Sequence, residues 1–140
     1  MDISKINESN ASDTGADLEL THPSTGDVLV QDDDNRTPIT IRILGMDSKV
    51  YRNHQQNVQR ERMNKMMRAR SRKNVDFVMS FEERCSLLAE CTVGWSGIVD
   101  NGAEVEFSKK AAYELYHKAP WVADQVDEFM GDRANFFMMS

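Results

Sequence analysis

Leu18 and Leu20 alternate with Asp17 and Glu19, and a second apolar run follows at Val28-Leu29-Val30. Between them His22-Pro23-Ser24-Thr25-Gly26 has turn chemistry: Pro presets φ at the first corner and Gly supplies a positive φ at the exit. After the acidic stretch Asp32-Asp33-Asp34-Asn35, Ile39, Ile41 and Ile43 recur with a period of two, a β-branched strand face. These runs predict a small antiparallel meander over 17–44. Past Gly45 the pattern changes. From Lys49 to Lys73 there is no Gly or Pro, and Asp47 or Ser48 can cap a long helix over 47–73. Its apolar stripe is thin, formed by Val50, His54 and Val58 and then Met63, Met66 and Met67, so most of its surface should face water.

A mainly helical part is predicted over 80–137. Ser80 and Glu83 have capping-box spacing, and Phe81, Cys85, Leu88 and Thr92 share one helix face. Gly94-Trp95-Ser96-Gly97 should break that helix. Asp100-Asn101-Gly102 then reads as a tight hairpin turn between Ile98-Val99 and Val105-Glu106-Phe107. Ser108 caps a helix carrying Ala111, Ala112, Leu115 and Tyr116, and Pro120 suits the first turn of another carrying Val122, Val126, Phe129 and Met130. The fold class expected is α+β: an N-terminal β-meander, then a helical part with a short hairpin. Residues 1–16 are polar and without period, and are expected to form a disordered arm ahead of a single domain at 17–140.

Composition sharpens this picture in two ways. At 140 residues, with 40% hydrophobic and 29% charged, the chain can bury one core with polar segments left outside it. No apolar run approaches the roughly 20 residues that span a bilayer. The polar start is not a secretory signal, and two cysteines do not make a disulfide scaffold, so a soluble cytosolic protein is expected. The net charge of −6 also conceals a partition. Residues 1–36 carry nine acidic and two basic side chains, 42–73 two acidic and ten basic, and 74–140 twelve acidic and five basic. Such patterning invites internal neutralisation or an anionic partner for the middle block.

Candidate chemistry is sparse. Cys85 and Cys91 are too widely spaced for a zinc knuckle, and His22, His54 and His117 fall on different elements, so no metal, cofactor or catalytic residue is assigned. The acidic loop lacks the ligand order of a calcium loop, and no Gly-rich phosphate loop occurs. The chain is read as a non-enzyme. Arg60, Arg62, Lys65, Arg68, Arg70, Arg72 and Lys73 could meet several phosphates, but no aromatic lies among them to stack a base. A solvated face or a protein contact is the favoured reading, with nucleic-acid binding over 58–73 as the alternative. Trp95 and Trp121, each beside a Gly or Pro, are expected to anchor the helical half. The apolar end Phe136-Phe137-Met138-Met139 must dock or meet a partner.

Several ordered blocks resemble one family. The opening run from Leu18 to Val30 with its His-Pro-x-Thr-Gly-Asp turn, the segment Cys91-Thr92-Val93-Gly94-Trp95-Ser96-Gly97-Ile98, Phe107-Ser108, Leu115-Tyr116, Pro120-Trp121-Val122, Gln125-Val126 and Gly131-Asp132-Arg133-Ala134-Asn135-Phe136 are similar to the tail assembly chaperones of long-tailed, non-contractile bacteriophages. The likeness spans about 17–137, with Cys91, Gly94, Trp95, Gly97, Pro120 and Trp121 as its structural signature. The basic stretch around 60–73 and the first sixteen residues stand outside it. The resemblance implies a non-enzymatic late protein of the host cytoplasm, absent from the mature virion. It would coat the helical, apolar tape-measure protein until tail tube protein displaces it. The family often also makes a longer product by ribosomal frameshifting. Self-association is left open, and a structural tail or head-completion protein is a further alternative. For client contact the sequence offers Phe129, Met130, Phe136, Phe137 and Met138, with Arg133 and Asn135 beside them.

Overall fold

The alternation over Thr40–Ile43 becomes the central strand of a three-stranded antiparallel sheet. A computed structural model describes residues 2–8, 10–32, 34–68 and 79–137. In chain order the elements are α1 (Ile3–Glu8), β1 (Ala16–Glu19), β2 (Thr40–Ile43), α2 (Lys49–Arg68), α3 (Phe81–Glu90), β3 (Thr92–Ser96), β4 (Val99–Asp100), β5 (Ala103–Glu104), α4 (Lys109–Lys118), α5 (Pro120–Gly131) and a 3₁₀ turn at Arg133–Phe136. The architecture is α+β, a β-meander and a short hairpin combined with a mainly helical part.

In the sheet, β1 pairs with β2 and β2 with β3. Ile41 and Ile43 point into the core with no exposure. Arg42 points the other way, and its Nη1 lies 3.3 Å from an oxygen of Asp17, its cross-strand partner. The expected strand at Val28–Val30 pairs more sparsely, through single bridges from Val28 to Thr21 and from Val30 to Pro38. The backbones of Leu20, Leu29 and Ile39 nevertheless bond to one another in a closed set of three. The second full partner of β2, beside β1, is instead β3. The expectation that Gly94-Trp95-Ser96-Gly97 merely breaks a helix is therefore corrected: Thr92, Val93 and Trp95 favour extended backbone, and only Gly97, at φ +89°, turns the chain out of the strand. The expected hairpin forms at β4–β5, with Asn101 at φ +52° and Gly102 at φ +79° at its two corners. Its second strand, however, is Ala103–Glu104 rather than Val105-Glu106-Phe107.

Helix ends follow their signals. The Ser80 hydroxyl accepts from the Glu83 N–H at 3.1 Å, and that of Ser108 from Ala111 at 2.9 Å. Pro120 occupies the first turn of α5. The Lys109 ammonium donates to the carbonyls of Glu90, at 2.8 Å, and Thr92, at 2.6 Å, covering the C-terminal end of α3 with a cation. One buried cluster joins the sheet to α3, α4 and α5 through Ile41, Ile43, Leu88, Cys91, Tyr116, Val126 and Met130. At its centre the Thr92 hydroxyl donates to the Leu88 carbonyl at 2.7 Å. Its single proton is thus committed, so Tyr116, 2.6 Å away, must be the donor to Thr92.

The beginning of the chain is a second correction. Residues 3–8 are helical, and the segment after them is docked rather than loose. Asn10 bridges Phe137, the Ala11 N–H donates to the Phe136 carbonyl, and Gly45 donates to the Ser12 carbonyl at 2.9 Å. The Asp13 carboxylate accepts from the Lys49 N–H at 2.8 Å and so caps α2. Ser12 is buried. These contacts use backbone and short polar side chains, which leave no hydrophobic period to read. The seam is tight: a Cβ on Gly45 would lie 2.4 Å from Ser12 Oγ and 3.1 Å from Phe136 Cγ. Gly45→Ala should therefore cost about 1–3 kcal/mol, and Ser12→Gly in the same chain should recover part of it. Urea unfolding midpoints of the single and double variants test this; an unshifted single variant would mean that the seam is open.

None of α2's residues is buried. Its inner side approaches α3, where Arg62 lies 3.6 Å from Glu83. The methionines expected to extend its seam do not: Met63, Met66 and Met67 are all exposed. The last residues of the expected basic helix, Arg70, Arg72 and Lys73, lie outside the described residues.

Candidate binding surface

The residues offered for partner contact separate once the fold is laid out. Met130 and Phe136 are each 2% exposed and belong to the interior. This corrects their assignment to a free surface: Met130 belongs to the main buried cluster, and Phe136 packs against the Ser12–Gly45 seam. Phe129 and Phe137 are half-buried, and Phe129 meets Phe136 edge-on at 5.5 Å. Arg133 is held by the Asp47 carboxylate at 3.1 Å, and the Asn135 amide donates to the Phe129 carbonyl at 2.9 Å. Both hold the turn in place. Met138 lies outside the described residues.

The signature residues separate as well. Cys91 is fully buried, and Gly94 sits in β3. Trp95 is half-buried, donates from Nε1 to the Val105 carbonyl at 2.9 Å and stacks edge-on against Phe107 at 5.1 Å. It pins the chain leaving the hairpin to the sheet. Trp121 is no such anchor: at 36% exposure it lies on the surface. It follows Pro120 in the first turn of α5, and its ring forms one wall of a groove.

That groove is an apolar concavity in two adjoining parts. One part, of about 390 Å³, is lined by Leu20, Leu29, Val30, Ile39, Gly97, Ile98, Trp121 and Val122. A neighbouring part, of about 490 Å³, is lined by Val105, Ala111, Glu114 and Lys118. The two share Ile98, Val99, Leu115 and Ala119 and so adjoin. Val99 is 59% exposed at the mouth. Asp100 and Lys118 pair there at 2.9 Å, leaving Glu114 as the uncompensated charge among the lining residues. Gln31 closes one end, its amide donating to Ser96 Oγ at 2.9 Å and the Pro38 carbonyl at 3.0 Å. Gly97 is required at this end, since any Cβ there would strike the Gln31 side chain.

The chemistry available elsewhere is structural. Burial pushes the Cys91 thiol up to about 12, against the pull of Lys109, so it stays protonated and unreactive near neutral pH. His22 Nδ1 accepts from the Ser24 and Thr25 N–H groups inside its turn, and His117 packs against Phe81 and Tyr113. Among the described residues no group of three or more His, Cys, Asp or Glu side chains could hold a metal ion. Among them, too, no helix is long and apolar enough to cross a membrane.

The sequence names Trp121 but not its exposure, and misses Val99 and Leu115 as groove residues. The available signal is position: a Trp in the first turn after a helix-starting Pro, beside a hairpin too short to cover it. No protein-family model, curated protein or solved structure matches the chain.

Proposed function

We propose that this protein is a tail assembly chaperone of a long-tailed bacteriophage, which covers the apolar stripe of the helical tape-measure protein and keeps it soluble until the tail tube forms. The observation that carries the reading is where the resembling blocks meet. Leu20, Leu29 and Val30 of the opening run, Gly97 and Ile98 of the central segment, Leu115, and Trp121 with Val122 line the same open apolar groove. Hydrogen bonds tie other blocks together behind it: Thr21 N–H to the Gln125 side chain at 3.0 Å, and Tyr116 to Thr92. A groove of this size accepts a few apolar side chains of a helix, a weak contact that gains strength when many copies line one long client. The rigid rings and aliphatic walls need no catalytic group for that work.

Trp121 is the residue to test, being both exposed and central to the wall. Trp121→Ser should cost under about 1.5 kcal/mol of stability, well below the cost of removing a buried ring, yet weaken client binding by about 2 kcal/mol, roughly thirtyfold. The measurement is the soluble fraction of the tape-measure protein encoded beside this chain, co-expressed with wild type or variant. Equal protection by both would remove the groove from the client site. No protection by the wild type of any neighbouring tail protein would remove the chaperone reading itself.

A further inference from the structure

The apolar groove does not stop at Gly97. That residue also borders a further concavity of about 430 Å³, formed by Trp95, Val105 and Phe107 with Glu104 and Glu106. Val105 is shared in turn with the part of the groove beside α4. Taking the groove as the client site, we propose that this corner is a subsite for a lysine or arginine side chain. The helix that the groove accepts is then one whose apolar stripe is edged by basic residues.

Two separate features of the corner select a cation. The first is aromatic. Trp95 and Phe107 are both half-buried and stand nearly perpendicular, at 86° with centroids 5.1 Å apart. The indole Nε1 is already spent on the Val105 carbonyl, so the ring offers the concavity π surface and no free donor. The negative face of such a ring attracts an ammonium or guanidinium group. The second feature is charge. Glu104 and Glu106 are exposed, and neither makes an ion pair among the described residues. Beside α4, Glu114 is equally unpaired, whereas Lys118 is held by Asp100. The groove and its corner therefore present three free carboxylates and no free cation among their lining residues. A concave apolar surface carrying one sign of charge concentrates a partner of the opposite sign.

The same charges decide against other occupants. A phosphate backbone, an anionic lipid surface or an acidic helix would each bring negative charge against these carboxylates. Lysine and arginine suit the corner because their aliphatic stems can lie along its apolar wall while the charged head meets rings and carboxylates.

The test uses the full chain and three labelled helical peptides of roughly 20 residues. All carry one leucine stripe at i, i+3, i+4 and i+7, edged by lysine, glutamine or glutamate. Fluorescence anisotropy at about 50 mM salt should show the lysine-edged peptide binding at least about tenfold more tightly than the glutamate-edged one, with the gap narrowing at about 200 mM. Replacing Glu104 and Glu106 together by Gln should weaken the lysine-edged peptide about fivefold or more and leave the glutamine-edged one unchanged. Glu19 and Glu128 are exposed carboxylates that border a separate concavity beside α5. Replacing that pair by Gln changes the net charge equally and should leave both peptides unaffected. Circular dichroism checks that each variant is folded. The proposal is overturned if the Glu104 and Glu106 variant binds the lysine-edged peptide like wild type, or if the Glu19 and Glu128 variant weakens it as much. If the three peptides bind wild type alike and Trp121→Ser weakens them all, the corner fails and the groove stands. If none binds, or Trp121→Ser weakens none, the groove fails with it. A concentration-dependent dimer that the lysine-edged peptide dissociates overturns the proposal in favour of a second copy as the occupant.

Discussion

Phe136→Ala should destabilise the protein by about 3–5 kcal/mol, the cost of emptying a buried aromatic site. The ring is 2% exposed and meets Phe129 edge-on, with centroids 5.5 Å apart. Its backbone carbonyl accepts from Ala11, and the next residue bridges Asn10, so the surrounding chain is held on both sides and cannot easily collapse into the void. Against a total stability of about 5–15 kcal/mol, the loss would bring the fold close to its limit. Chemical denaturation followed by tryptophan fluorescence gives the value. A change under about 1 kcal/mol would put the ring outside the core and restore it as a candidate for partner contact. For the same reason, deleting 136–140 tests stability rather than client binding, whereas Trp121→Ser separates the two.

Stability should hold up to about pH 9 and then fall steeply towards pH 12, with Cys91 responsible for a large part of the decline. Its thiol is fully buried and pushed from the ordinary 9.0 to about 12, chiefly by burial. Below pH 9 folded and unfolded chains both keep the proton, and the full stability is present. Between 9 and about 12 the unfolded chain releases it while the folded chain retains it, so the equilibrium moves towards unfolding by about 1.4 kcal/mol per pH unit for one group. Tyr116 acts in the same direction from about pH 10 upward, because burial raises its phenol. Thermal unfolding from pH 7 to 11 should show the decline, and Cys91→Ser should flatten its slope between 9 and 11 whatever its absolute stability. Superimposable curves for the two proteins would show that the thiol is not enclosed.

How much of this was legible in the sequence depended on what kind of contact made each element. Asn101-Gly102, Ser80 with Glu83, Ser108 and Pro120 all act on their own neighbours, so their turns and caps stand where the sequence places them. Ile41 and Ile43 announce a strand by alternation, but the identity of its second full partner is a tertiary matter. Thr92–Ser96 is separated from β2 by two helices, and its glycine and tryptophan look like punctuation until the sheet beside them is known. The segment at 10–15 was illegible for another reason: it docks through a backbone carbonyl, a carboxylate cap and one small hydroxyl, none of which carries a period. The candidate site inherits that difficulty. Phe136 looks free at the end of the chain because part of what covers it lies at the beginning, Met130 because the cluster that buries it is assembled from other elements, and Trp121 looks like core because exposure cannot be read from residue type.

The meeting of Asn10 with Phe137 also bears on the order in which the molecule assembles. Joining points some 125 residues apart costs an unstructured chain about 4 kcal/mol in closure entropy beyond a fixed constant. That cost disappears only once the sheet and the α3–α4 pair have already drawn the two ends together. The seam is thus expected to close late, on the native side of the folding barrier. Phe136→Ala would then act almost wholly through the unfolding arm of the kinetics, shortening the lifetime of the folded state while leaving its rate of formation nearly unchanged. Asn10 to Ser12 with Phe136 and Phe137 would thereby serve as a clasp, one that holds the finished molecule shut and has little part in bringing it together.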